Sequence, residues 1–189
     1  RERAETAALA FTRRRGPWRG VLAAFQRRDK DLVDWTFLQG APFARQANAV
    51  DIDVTGFEAG LERRGPTLML VAGYSYLDKE ADYGTASVDA SYYALNYATH
   101  RLTLAWEITP TDHLTFRWDN EFRRQADNPL RSGSRDAYQT SMALDWVPPR
   151  MPRLSTSLRV DNLTNSNFEE FPGTPAARRR VSVKARWSW

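Results

Sequence analysis

The sequence predicts an all-β protein: an antiparallel, up-and-down portion of a transmembrane β-barrel with about nine strands. Three observations predict it. Apolar and polar residues alternate over segments of near ten residues along the whole chain, the mark of strands with one greasy face. The connections between these segments are alternately short and long. The final segment places Val181, Val183, Ala185, Trp187 and Trp189 on one face against Ser182, Lys184, Arg186 and Ser188 on the other. A soluble β-sandwich also alternates, but its strands usually run about 5 to 6 residues.

Composition agrees with this class and excludes others. The 189 residues hold no Cys and carry a formal charge of +4, and mean hydropathy is −0.60. No stretch approaches the roughly 20 apolar residues of a membrane helix. A barrel strand alternates lipid-facing and lumen-facing residues, so a low average hydropathy is compatible with it. The pI near 9.6 raises the question of nucleic acid. Arg13 to Arg15, Arg63 with Arg64, and Arg178 to Arg180 sit at expected turns, however, and no face gathers them into a stripe with interleaved aromatics. No nucleic-acid partner is expected.

The elements follow in order. Ala7, Leu9 and Phe11 form the apolar side of a first strand, which Gly16-Pro17 turns. Val21, Ala23 and Phe25 are expected to continue that side in a second strand, which runs on through Leu32 to Phe37 as a projection beyond the bilayer. Gln39 to Phe43 is a loop. In the third strand Val50, Ile52 and Val54 are apolar, but Phe57, Ala59 and Leu61 follow on the opposite parity, so a bulge is expected at Thr55-Gly56. Gly65-Pro66 turns, and Leu68, Leu70, Ala72, Tyr74 and Tyr76 face outward. Asp78 to Thr99 is expected as the longest loop. Leu102, Leu104, Trp106 and Ile108 rise again, Thr109 to Asp112 turns, and Leu114, Phe116, Trp118 and Phe122 face out while Arg117, Asp119, Glu121 and Arg123 face in. Gln125 to Arg135 is a loop. Tyr138 to Trp146, Leu154 to Val160 and Val181 to Trp189 are the last three strands.

Nine strands is an odd number, and bacterial single-chain barrels have even ones. The chain opens Arg1-Glu2-Arg3-Ala4-Glu5 without a secretion signal. Residues 1–189 are therefore expected to be the C-terminal part of a longer barrel.

Particular residues make the expectation narrower. Asn162-Leu163-Thr164-Asn165, Phe168, Pro172-Gly173-Thr174-Pro175 and Ala177-Arg178, followed by a strand ending in Trp, resemble the last hairpin of the TonB-dependent outer-membrane receptors. Asp31-Leu32-Val33-Asp34-Trp35, then Asn48, then Gly56-Phe57-Glu58 match further landmarks in order. The departures are Ala177 where the family has Gly and Phe168 where it has Tyr. The resemblance implies a 22-stranded barrel in the Gram-negative outer membrane whose plug domain and earlier strands lie outside this chain. It implies active uptake of a scarce large solute, a ferric siderophore or cobalamin, energised by the TonB complex through that plug. Asp31 to Trp35 with Phe168-Glu169-Glu170 lean towards the cobalamin branch. The resemblance also gives the terminal aromatics, Trp187 and Trp189, a role as the signal read by the barrel-insertion machinery. A passive porin is the alternative function, and a soluble β-sandwich binding module the next.

No enzyme is expected. His100 and His113 are the only histidines and each stands at a strand start, so neither a zinc site nor any other cofactor is expected. Asp51 with Asp53, and Asp119 with Glu121, read as charges on a wet barrel wall. Asn162-Leu163-Thr164 reads as a turn although it is also a glycosylation sequon. The loop tyrosines Tyr83, Tyr92, Tyr93 and Tyr97 have two readings, a ligand-contacting surface and an aromatic girdle at the outer interface. Asp78, Glu80, Asp82 and Asp89 against Lys79 make their loop acidic, so a neutral or weakly charged ligand is expected there.

Overall fold

A computed structural model describes residues 2–43 and 45–189. Nine long strands form one antiparallel sheet: β1 (Arg3–Arg15), β2 (Trp18–Phe37), β3 (Gln46–Arg64), β4 (Leu68–Asp82), β6 (Ala98–Thr111), β7 (Leu114–Gln125), β8 (Asp136–Trp146), β9 (Leu154–Asp161) and β12 (Arg180–Trp187). They pair in that order, each with its successor. A two-residue strand β5 (Ala90–Ser91) pairs with the far end of β2, and β10 (Glu169–Phe171) with β11 (Thr174–Pro175) forms a small separate hairpin. The meander needs only hairpin connections. Gly16 opens the first of them at φ 56°, a conformation that glycine adopts at no steric cost.

All short turns lie at one end of the sheet, and the connections 38–45, 83–97, 126–135 and 162–179 at the other. Antiparallel partners share a face, so the register defines the two sides of the wall. Phe11, Leu22, Ala59, Tyr74, Leu102, Phe122 and Tyr138 are successive partners across seven strands. A second row runs Trp18, Arg63, Leu70, Trp106, Trp118, Met142, Val160, Val181. With strands about 4.8 Å apart, nine of them carry an apolar band about 40 Å wide. That exceeds any patch a soluble monomer tolerates. The opposite face is polar and ion-paired, as in Arg101–Glu121 at 2.7 Å, Arg19–Glu62 at 3.8 Å and the short Arg117–Glu107 and Arg123–Glu121 pairs. Asn120 and its register partner Thr140 take outward slots, where Asn120 accepts from Tyr138 Oη and Thr140 Oγ1 and donates to the Leu104 carbonyl. Such saturation is what an amide in hydrocarbon requires.

Several local expectations need correction. Val21, Ala23 and Phe25 pair with Gly60, Glu58 and Gly56 and face inward; Leu22 and Ala24 face out. Gly20 to Phe25 is apolar at both parities, so alternation alone could not choose between them. The register is unbroken at Thr55-Gly56, and the bulge lies on the partner strand, at Lys30-Asp31, where two residues of β2 oppose Asp51. Asp31 adopts φ 56° and its N–H donates to Asp51 Oδ1. Gly56 has a different purpose, since a Cβ there would run into the Phe25 ring. The parity change in β3 reflects its surroundings. Phe57 and Leu61 face outward at bilayer level, whereas Val50, Ile52 and Val54 pack inward beneath the loops, against Phe25, Leu32 and Leu77. Asp51 and Asp53 consequently face outward above the apolar band, not the lumen, and Asp53 pairs with Arg28. β4 extends to Asp82 and β6 starts at Ala98, so the loop expected to be the longest shrinks to 83–97 and the 162–179 connection is longer. β12 ends at Trp187, leaving Trp189 fully exposed beyond it.

Candidate functional site

The site is built where the three longest connections fold together over the inner face. Its foundation is the β2 bulge. Because one residue is absorbed at Lys30-Asp31, Leu32, Asp34 and Thr36 turn inward and Val33 and Trp35 turn outward. Asp34, 1% exposed, then accepts from Tyr83 Oη at 2.8 Å and from the Ala94 N–H at 3.1 Å. One carboxylate thus holds both ends of the 83–97 connection. Burial, reinforced by the bond to Asp34, raises the Tyr83 phenol well above its ordinary value. The mid-part of the connection is secured by β5, whose Ser91 and Ala90 pair with Thr36 and Phe37.

The second lock joins all three connections. Asn128 Nδ2 donates to the Ser91 carbonyl at 2.6 Å, and Asn96 Nδ2 to the Glu170 carbonyl at 2.5 Å. Arg131 donates to the Glu169 carbonyl and to Asn96 Oδ1, and Ser132 Oγ donates to the Glu169 carboxylate. The Ser132 bond holds the Glu169 carboxyl below its usual range, and burial lowers Arg131. Asn96, Gln125 and Asn128 are all buried. Beneath them Phe168, 2% exposed, packs with Ala137 and Ala176 under the Arg123 guanidinium, 4.9 Å from its ring. Asn162, at φ 48°, closes the 162–179 connection by bonding Ser166 through both its amide atoms and donating to the Ala177 carbonyl. Its side chain is buried in that turn, as the reading of the sequon as a turn requires.

The four tyrosines separate into two pairs. Tyr83 binds Asp34, and Tyr97 accepts from the Lys79 N–H at 3.0 Å with the Lys79 ammonium 4.9 Å from its ring. These two hold structure. Tyr92 lies under the Arg45 guanidinium at 4.3 Å, and Tyr93, exposed, stands 6.4 Å from Tyr92 and 5.5 Å from Phe171. Tyr93 also borders an inner-face cavity of about 540 Å³, whose charged lining is Glu2, Arg27, Asp29, Asp34 and Lys79 over an apolar floor of Phe25, Ile52 and Val54. At the outer-face interface the rings are Tyr74, Tyr76 and His100, with Tyr74 Oη 2.8 Å from His100 Nδ1.

Sequence reasoning named the tyrosines and missed the residues that fix them: Asp34, Asn96, Asn128 and Arg131. The available signal was Asp34 itself, a carboxylate inside an apolar run.

No protein-family model and no curated protein matches the chain. Solved structures do. The FrpB iron transporter from Neisseria meningitidis, F5-1 variant in its apoprotein form, superposes with a TM-score of 0.72 at 20% identity over 98% of this chain and 31% of its own. The ferric-catecholate import receptor Fiu from E. coli K12 gives 0.67 at 14% identity, with 98% of this chain and 27% of its own covered. The ferripyoverdine receptor of the Pseudomonas aeruginosa outer membrane gives 0.63 at 16%, with 91% and 25% covered. These are TonB-dependent receptors, and the fold of this chain is that of part of their barrel wall. The chain spans about a third or less of the length of each.

Proposed function

We propose that this chain is part of the barrel of an active outer-membrane receptor, energised through TonB, that imports a ferric siderophore of low net charge. The observation that carries the reading is the interlocked loop cap over the inner face, which joins an exposed aromatic group, Tyr93 with Phe171, to a cavity lined by two cations and three carboxylates. Flat rings supply contact area at low entropic cost, and a lining of both signs with a slight acidic excess suits a ligand of little charge better than an anionic one. A passive porin needs an open mouth, not loops bonded together across it. Uptake of iron chelates is preferred to cobalamin because the similar structures are iron and siderophore receptors; they are transporters, not enzymes. The plug and the remaining strands belong, on this reading, to other parts of the receptor.

The test is a fluorescence titration of the intact receptor with cobalamin and with neutral and anionic ferric siderophores, repeated on Tyr92→Ala/Tyr93→Ala. Tight binding of a weakly charged ferric siderophore, weakened at least tenfold by the double substitution, is expected. Tight binding of cobalamin, or of an anionic siderophore indifferent to the two tyrosines, would overturn it.

A further inference from the structure

At the short-turn end, the lipid-facing side of the first three strands carries an uncompensated basic cluster. Arg13 and Arg15 follow Phe11 at the same parity on β1; Arg15 pairs with Trp18, and Trp18 with Arg63. All of them share the face of Leu22. Arg63 lies 5.9 Å from the Trp18 ring, and none of the three arginines forms an ion pair among the described residues. The contrast with other arginines is sharp. On the lumen side of the same turns, Arg19 and Arg64 share Glu62. On the outward face at the loop end, Arg28 is paired with Asp53 and Arg124 with Asp136, each at 2.7 Å. Among the described residues, the three outward arginines at the short-turn end lack such a carboxylate partner and lie together beside one indole.

Beside them the wall is notched. A depression of about 380 Å³ is lined by Phe11, Arg13, Arg15, Trp18 and Leu22, with its floor at Gly20, where a Cβ would meet nothing. An apolar floor under a rim of guanidiniums matches a molecule with hydrocarbon below and an anion above. Guanidinium is the group best suited to phosphate, because its N–H donors form a planar fork. An indole at the same level is the usual interface marker.

We infer that Arg13, Arg15 and Arg63, with the notch at Gly20, form a binding site for an anionic phospholipid of the periplasmic leaflet. The inference rests on the reading of the chain as an outer-membrane barrel wall, in which short turns face the periplasm. The phosphodiester lies among the three arginines and the first part of an acyl chain fills the notch. Charge complementarity selects the occupant: a zwitterionic lipid brings a cation of its own into the cluster.

The test uses the intact folded receptor in detergent, with phosphatidylglycerol or phosphatidylcholine added, read by native mass spectrometry as lipid retained. Wild type should keep phosphatidylglycerol in preference to phosphatidylcholine, and inorganic phosphate should not displace it. Arg13→Gln/Arg15→Gln/Arg63→Gln should lower phosphatidylglycerol retention by about fivefold or more, since each basic residue near an anionic surface contributes about a fivefold factor, and leave phosphatidylcholine unchanged. Gly20→Leu, which keeps every charge and fills the notch, should also lower it, and decides the matter if the triple variant does not fold. Equal retention of both lipids by wild type, displacement by inorganic phosphate, or full retention by Gly20→Leu would overturn the site. Failure of the barrel reading would look different: no heat-modifiable band and no retention of either lipid.

Discussion

Tyr83 donates its hydroxyl to the buried carboxylate of Asp34 at 2.8 Å, across 49 positions of chain. This bond, with the Ala94 N–H on the other carboxylate oxygen, fixes the 83–97 connection to a strand two places away in the sheet. A hydrogen bond to a charged group contributes about 1.5–3 kcal/mol. Tyr83→Phe should therefore lower the local opening free energy of residues 83–97 by about that amount while leaving the barrel intact. Hydrogen exchange resolved by segment checks it, with β6 and β7 as unchanged references. In the folded wild type the Tyr83 phenol should stay protonated through the range near pH 10 where free tyrosines ionise, which a difference titration against Tyr83→Phe measures.

The bulge can be tested separately. Inserting one Ser between Leu32 and Val33, beyond the bulge, should keep Leu32 opposite Val50 but turn Asp34 outward and Val33 inward, and release the same connection. Protease sensitivity between 83 and 97 should rise sharply, whereas the heat-modifiable barrel should form as before. Asp31→Gly, which suits a positive φ, should cost little by either readout.

The lipid face gives a signed comparison. Leu104 points outward between Ala72 and Asn120, and Leu104→Arg should destabilise the folded barrel by about 2–4 kcal/mol if it lies near the bilayer midplane. Glu107→Gln, on the lumen side, loses only a partly exposed ion pair with Arg117 and should cost about 1 kcal/mol or less. Urea titration in lipid vesicles measures both.

Acid should loosen the loop cap. The Ser132 bond holds the Glu169 carboxyl below its unfolded value, so its contribution is complete above about pH 4.3. That contribution is lost as pH falls through the lower folded value. Hydrogen exchange of residues 126–135 should accelerate in that window, and Glu169→Gln should remove the pH dependence.

Trp189 offers a distinction between recognition and packing. It lies beyond the end of β12 and is 99% exposed, so its deletion should not alter the urea midpoint of folded protein. If the barrel-insertion machinery reads it, the deletion should lower outer-membrane yield of the full-length receptor severalfold. A changed midpoint with normal yield would point to packing instead.

Strand number, the outward faces of β4, β6, β7 and β8, and the hairpin turns were legible because a half-lipid, half-water wall imposes a strict period of two. The period ceased to inform at two kinds of place. In Gly20 to Phe25 both parities are apolar, so only the pairing of Leu22 with Phe11 shows which faces lipid. Above the bilayer the outer face meets water, and the same alternation in Val50 to Val54 marks a covered core. The site was legible in its aromatic content but not in its assembly. Asn96, Asn128 and Arg131 act through backbone carbonyls on other connections, and such partners leave no pattern in the chain that supplies them.

The bulge at Lys30-Asp31 also works as a phase shifter. Below it, the inside–outside assignment of β2 is dictated by hydrocarbon; above it, by what the loops must grip. A residue lost at that level is absorbed there, because one residue of β2 would then oppose Asp51 and Leu32 would still oppose Val50, without disturbing one membrane-facing side chain. The loop-bearing part can therefore drift in sequence and length while the anchored part stays fixed, and this joint is where loops from a similar barrel could be grafted onto this wall.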